Sequence, residues 1–307
     1  MASMRTSRTS AGTSRRGIAM EPPRAALPQA TTTLADRVAA TMPSLSDAEK
    51  RAARALLARY PTTGMETVAL FAERAKVSAP TILRFVAKLG FPGYADFRRA
   101  LREEMEAQAE FPLTRPHADA STSALLEFGG ALAETAQGSI AMINEAELAR
   151  LVDILVDERR QVFLLGGDFT EPAARHLEFH LRKLRGRVRL FSAGLMRRAD
   201  ELAELRRKDV VILFDIRRYQ ADTVRTAEVA KSRDAVVALF TDQWMSDAAQ
   251  VADIVLRARV DVPSPWDSLI GVIALVEAVA LAIDSRQWPI ARTRFETIEG
   301  VRQKLLP

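Results

Sequence analysis

Between residues 161 and 258 the chain alternates short apolar runs with longer amphipathic stretches, and few folds satisfy that alternation. The runs fall at 161–165, 187–191, 209–214, 235–240 and 253–258. Those at 161–165, 209–214 and 235–240 are apolar nearly throughout, and all are too short for a buried helix, which suits strands of a covered sheet. The stretches between them carry helical periodicity, so each strand returns to a neighbour through a crossover helix. The pattern predicts an α/β domain with a doubly wound, five-stranded parallel sheet. Ligands of such sheets sit beyond the carboxyl ends of the strands, which puts a site in the loops after Leu165, Phe214 and Phe240.

The preceding residues follow a different grammar, helical throughout. Helices are expected at 34–41 and at 46–59, the second announced by the capping box Ser46-x-x-Glu49 and closed by Pro61. Between Gly64 and Leu89 lie two short helical patterns separated by a break. In the first, Val68, Leu70, Phe71 and Ala75 make one apolar face. In the second, Ser78 suits an N-cap and Pro80 suits a first turn, while Ile82, Phe85, Val86 and Leu89 line the inner face. That leaves Ser78, Ala79, Thr81, Arg84 and Lys88 at the leading end or on the outer side. A recognition helix needs this arrangement, with its N-terminal residues meeting base edges in the major groove while the inner face stays anchored. Arg84 suits a bidentate contact to guanine and Thr81 a base or phosphate, whereas Ser78 and Lys88 suit the phosphate backbone. From spacing alone, an ordinary helical hairpin inside a larger core fits equally well.

The run LFAERAKVSAPTILRFVAKLGFPGYADFRRAL at residues 70–101 resembles the N-terminal domain of the RpiR family of bacterial transcriptional regulators. The likeness lies in VS-x-x-T-I-x-R-F and in the following LGF-x-G-Y-x-x-F-R. It implies a DNA-binding domain of about five helices and assigns contact with double-stranded DNA to Ser78, Thr81, Arg84 and Lys88 at the matching positions. The order and spacing of the elements at about 125–285 resemble the sugar isomerase (SIS) domain, which in RpiR-family regulators binds phosphosugars and transmits their presence to the DNA-binding half. The resemblance implies a cytoplasmic regulator acting as a homodimer or homotetramer, and no enzyme.

Composition agrees and narrows the classes. The chain has 307 residues and no cysteine, so neither disulfides nor thiolate metal sites are available. Its three scattered histidines give no metal-ligand pattern, and neither a metal nor a cofactor is expected. No apolar run approaches the roughly 20 residues of a membrane span. Residues 1–110 hold 17 Lys and Arg against 11 Asp and Glu, and residues 111–307 hold 27 against 28. The basic excess is N-terminal, where a polyanionic partner would need it. Residues 1–30 are rich in Ser, Thr, Arg, Pro and Ala, and read as a disordered basic tail with Met20 as an alternative start. The expected organisation is tail 1–30, DNA-binding domain 31–108, linker 109–122, effector-binding and oligomerisation domain 123–288 with a long helical pattern at 123–158, and C-terminal tail 289–307.

The expected effector site departs from the SIS pattern. Where such domains carry G-x-G-x-S, this chain has Gly166, Gly167, Asp168, Phe169 and Thr170. Thr170 keeps a hydroxyl, but Asp168 puts a carboxylate where backbone would approach an anion, which disfavours a bare phosphate. The usual S-x-S-G-x-T is replaced by Asp215, Ile216, Arg217, Arg218, Tyr219 and Gln220. Together, Gly166, Asp168, Thr170, Asp215, Arg217, Arg218 and Tyr219 form a candidate site for a carboxylated or otherwise anionic metabolite, a phosphorylated sugar derivative included. Arg217 paired with Asp215 or Asp168 as a structural ion network is the alternative, and the SIS domain would then serve dimerisation alone. Asp267 or Ser268 is expected to cap the last helix. A sugar-phosphate isomerase would need a base, for which Asp168, Glu171, His176 and His180 are conceivable, none with a signature.

Overall fold

The computed structural model describes residues 33–109 and 121–306. The tail expected over 1–30 and most of the expected linker lie outside them. The N-terminal unit is six helices: α1 (Leu34–Thr41), α2 (Asp47–Ala58), α3 (Thr62–Met65), α4 (Val68–Ala75), α5 (Ala79–Lys88) and α6 (Tyr94–Ala109). Capping boxes open α1 (Thr33 with Asp36) and α2 (Ser46 with Glu49). Leu56, Phe71, Phe85, Phe97 and Leu101 are fully buried where α2, α4, α5 and α6 meet. Burying each such side chain is worth about 1.5–3 kcal/mol, against about 1 kcal/mol for a cap, so packing sets the angle between α4 and α5. Phe71 and Phe85 meet edge to face at 6.4 Å. The turn between their helices passes through Lys76 in the left-handed region, φ 52°, with its N–H bonded back to α4.

The C-terminal unit opens with α7 (Thr122–Ala141) and α8 (Glu145–Leu155), not the single helical run expected over 123–158. Asn144 causes the break: its side-chain carbonyl accepts the N–H groups of Ala146 and Glu147, starting a new helix. The sheet follows, with β1 (Val162–Gly166), β2 (Val188–Leu190), β3 (Val210–Asp215), β4 (Val236–Asp242) and β5 (Ile254–Ala258). All four pairings are parallel and the order is β2-β1-β3-β4-β5, so the strand order reverses between β1 and β3. The connections carry α9 (Glu171–Leu184), α10 (Leu195–Ala203) and α11 (Ala221–Ser232), and α12 (Ile270–Leu305) closes the chain. Alternate strand residues feed two cores: Leu164, Ile212 and Phe214 pack with α8, α9 and α12, while Phe163, Val211 and Leu239 pack on the α10–α11 side.

Where a C-terminal tail was expected at 289–307, the described residues are helical to Leu305. α12 runs on through a break at Gln287 (φ −136°, ψ 30°), where Pro289 removes a backbone donor and the Gln287 side chain donates to the Leu184 carbonyl at 3.2 Å. Among the described residues no helix is long and apolar enough to cross a membrane. Arg257 on β5 forms an ion pair with Asp36 of α1, and a cleft lined by Ala35, Tyr60, Trp244, Met245 and Arg257 lies between the two units.

Candidate nucleic-acid interface and effector cleft

On α5, Ile82, Phe85 and Val86 face inward, while Ser78, Pro80, Leu83, Arg84, Ala87 and Lys88 are exposed and Ala79 is half-buried. Two of the expected contact residues have partners within the domain. Thr81 is 5 % exposed, because the fourth residue after the break rotates under the first turn. Its hydroxyl lies 2.9 Å from that of Ser78 and accepts Arg84 Nη2 at 3.2 Å, so the expected Ser78 cap on a backbone N–H is replaced by a hydroxyl pair. Lys88 turns back to Glu49 Oε2 at 2.7 Å and the Ser44 carbonyl at 3.2 Å, and its ammonium holds the Glu49 carboxyl down at about 2. Lys88 is therefore a tie between α5 and α2. Leu83, 47 % exposed, was not among the expected contacts, though the 3.6-residue period puts it beside Ala79 and Ala87. Arg84 is the exposed cation of the helix without an ion pair among the described residues, braced by Thr81.

At the switch point between β1 and β3, the loops expected to hold a ligand enclose a cleft of about 300 Å³ lined by Gly167, Asp168, Phe169, Thr170, Asp215, Arg217, Arg218 and Gln220. The turn after β1, where the resemblance implies an anion cradle, is occupied by the chain itself. The Thr170 hydroxyl accepts the Gly167 N–H at 2.8 Å and donates to the Phe214 carbonyl at 2.7 Å, tying β1 to β3. A Cβ on Gly166 would stand 2.5 Å from the Glu171 backbone, and one on Gly167 would stand 2.2 Å from Gln220 Oε1. Gly166 is therefore needed for close packing without any ligand, whereas at 167 the flexible end of Gln220 would only have to move aside. Glu171 fills the first turn of α9 and pairs with Arg175 at 2.7 Å.

The remaining candidates divide sharply. Arg217, its side chain 2 % exposed, lies over the Trp244 ring at 4.0 Å and pairs with Asp261 and, at 3.5 Å, with Asp267. The structural ion network expected as the alternative therefore exists, with Asp261 and Asp267 in place of Asp215 or Asp168. Asp267 serves it, and Ser268 is left to accept the Ile270 N–H at 3.2 Å. Tyr219 donates to Asp242 Oδ1 at 2.7 Å. Asp242, in the loop expected at the rim of the site, accepts in addition the N–H groups of Arg217 (2.5 Å), Trp244 (3.0 Å) and Met245 (3.2 Å). Burial pushes its carboxyl up to about 6, against the opposing pull of Tyr219 and those N–H donors. Asp168 and Arg218 are exposed at the rim, Arg218 on a left-handed backbone at φ 67°.

Asp215, buried at the end of β3, accepts the Ser246 hydroxyl and the Gln220 N–H at 3.2 Å, and burial raises its carboxyl from 3.8 to about 6. A carboxyl raised in the folded state stabilises most when protonated, below the unfolded value near 4, and loses that advantage as pH rises through about 6. At pH 7.5, Asp215→Asn is expected to be more stable than wild type by about 2–3 kcal/mol, the difference vanishing near pH 4. Urea unfolding across that range measures it.

Residues 32–108 match the helix-turn-helix domain of the rpiR family, and residues 154–282 match the SIS domain. The chain belongs to the RpiR family of transcriptional regulators. An HTH-type transcriptional regulator of Haemophilus influenzae is 24 % identical over 226 residues, 72 % of this RpiR-family chain and 78 % of the relative. The sugar isomerase domain of an RpiR transcription factor from Sphaerobacter thermophilus superimposes with a TM-score of 0.54 at 23 % identity, covering 57 % of this chain and 97 % of that one. The Vibrio vulnificus NanR protein, solved in complex with ManNAc-6P, superimposes with a TM-score of 0.52 at 18 % identity, covering 89 % and 99 %. These likenesses establish the fold.

Proposed function

We propose that this regulator binds double-stranded DNA through the outer face of α5, and that the cleft beyond β1 and β3 takes a small metabolite with one anionic group. The observation that carries the DNA reading is the division of α5. Ser78, Pro80, Leu83, Arg84 and Ala87 stand clear of the core while the opposite face is locked into it. One helix reads few base pairs, so a two-fold assembly, dimer or tetramer, follows from the need for selectivity.

In the cleft the cation is Arg218, which has no ion pair with another described residue, flanked by the Asp168 and Asp215 carboxylates. That balance suits a singly charged, hydroxyl-rich ligand such as a sugar acid better than a bare phosphate. Trp244 stacks on Arg217 and also lines the cleft against α1 and α2, which supplies a contiguous route from ligand to DNA-binding unit. The engagement of Arg217 by Asp261 and Asp267 favours the second reading, a SIS domain that serves dimerisation alone. An isomerase is the least supported, since Glu171 is paired with Arg175 and His176 with Glu277.

The test is fluorescence anisotropy on the gene's own upstream intergenic DNA across a salt series, repeated with a panel of sugar acids and sugar phosphates. Binding that weakens linearly in log salt, and that a sugar acid shifts in wild type but not in Arg218→Ala, supports the proposal. DNA binding that no metabolite shifts leaves dimerisation as the role of the SIS domain. Binding no tighter than to random DNA overturns the interface.

A further inference from the structure

His176 and His180 lie one turn apart on α9, on the same face, and Glu277 on α12 stands opposite both. One nitrogen from each ring and one carboxylate oxygen fall within 4.8 Å of one another. We propose that His176, His180 and Glu277 form a binding site for a divalent transition-metal ion of the zinc type, clamping α9 to α12. No metal pattern was expected from three scattered histidines. The third ligand comes from a helix about a hundred residues further on, which only the packing of α9 against α12 brings into place.

The spacing fits the ion. Zinc takes imidazole nitrogen and carboxylate oxygen at about 2.0–2.2 Å, so tetrahedral ligand atoms stand about 3.4 Å apart. His180 Nε2 is already 3.5 Å from Glu277 Oε1, and His176 Nε2, at 2.6 Å, has less than one ångström to open. The two rings meet edge to face at 4.7 Å, within reach of a shared centre by small side-chain rotations.

A hydrogen bond between His176 and Glu277 accounts for that pair without any ion. It does not account for His180, whose Nε2 is shielded from solvent and has no hydrogen-bond partner. Such a nitrogen, aimed at a carboxylate beyond hydrogen-bonding geometry, is what an ion between them would satisfy. Glu277 is largely exposed, which leaves a fourth position open to water. Two imidazoles and one carboxylate select zinc or its first-row neighbours over magnesium or calcium, which demand oxygen.

The untagged full-length chain, stripped with chelator, would be titrated with zinc by calorimetry at pH 7.5 and followed by thermal unfolding. One ion per chain and a rise in Tm are expected for wild type, with no rise on adding magnesium. His176→Gln/His180→Gln is expected to lose both responses, and Glu277→Gln to weaken zinc binding by at least the roughly 10–100-fold that even outer-shell partners cost. Glu277 is exposed, so its variant carries the test even if the double variant misfolds. Wild type that takes up no more zinc than Glu277→Gln, with the same Tm, overturns the site.

Discussion

Replacing Asp242 by Ala is expected to cost the C-terminal unit about 3–5 kcal/mol, the loss typical of removing one partner from a buried charged network. Asp242 is fully buried at the end of β4 and accepts hydrogen bonds from Arg217, Tyr219, Trp244 and Met245. The truncation leaves the Arg217 and Trp244 N–H groups and a phenol facing a void, while the Met245 N–H keeps the Asp242 backbone carbonyl at 3.2 Å. It also frees the loop in which Met245 is held at φ 63° and Trp244 stacks on Arg217. Since a domain of this kind has about 5–15 kcal/mol in total, the expected loss is a large share. A urea midpoint unchanged from wild type would show that the network is not what holds this loop. Asp242→Asn keeps one acceptor oxygen and is expected to lose less.

Arg84→Ala is expected to weaken binding to the specific operator by about 1–3 kcal/mol, roughly tenfold to a hundredfold, with little change on random DNA. Arg84 is an exposed cation of α5, with Nη2 donating to Thr81 Oγ1 at 3.2 Å. Lys88→Ala provides the contrast. Because Lys88 is committed to Glu49 and Ser44, its loss is expected to reduce the stability of the N-terminal unit while operator preference persists. Anisotropy with specific and random duplexes, paired with thermal unfolding, separates the two. Equal losses on both duplexes for Arg84→Ala would make it a phosphate contact instead.

The strand segments were legible because a strand buried on both faces needs an unbroken apolar run, and Val210–Asp215 and Val236–Asp242 satisfy that locally. The helix-turn-helix was legible for a similar reason, since Ile82, Phe85 and Val86 keep one period over two turns. Which partners the site's polar residues take within the chain was not legible, and one reason covers them. Thr81 and Lys88 are polar residues on a short helix, and period alone does not say which polar residue a neighbouring element will claim. Here the first turn of α5 claimed Thr81 and Glu49 of α2 claimed Lys88. Likewise Arg217 was expected to turn to a ligand or a nearby aspartate, and Asp261 and Asp267 took it from beyond β5.

The sequence by itself determined the α/β class, the five parallel strands, the switch-point location of the cleft and the family, because each depends on periodicity or on contiguous residues. Tertiary structure decided which polar groups remain available. Asp242 at the centre of its network, the filled cradle at Thr170 and Gln220, and the meeting of His176 and His180 with Glu277 all join residues far apart in the chain. A buried donor or acceptor takes whichever partner the packing presents, and that choice is made only when the helices and the sheet come together.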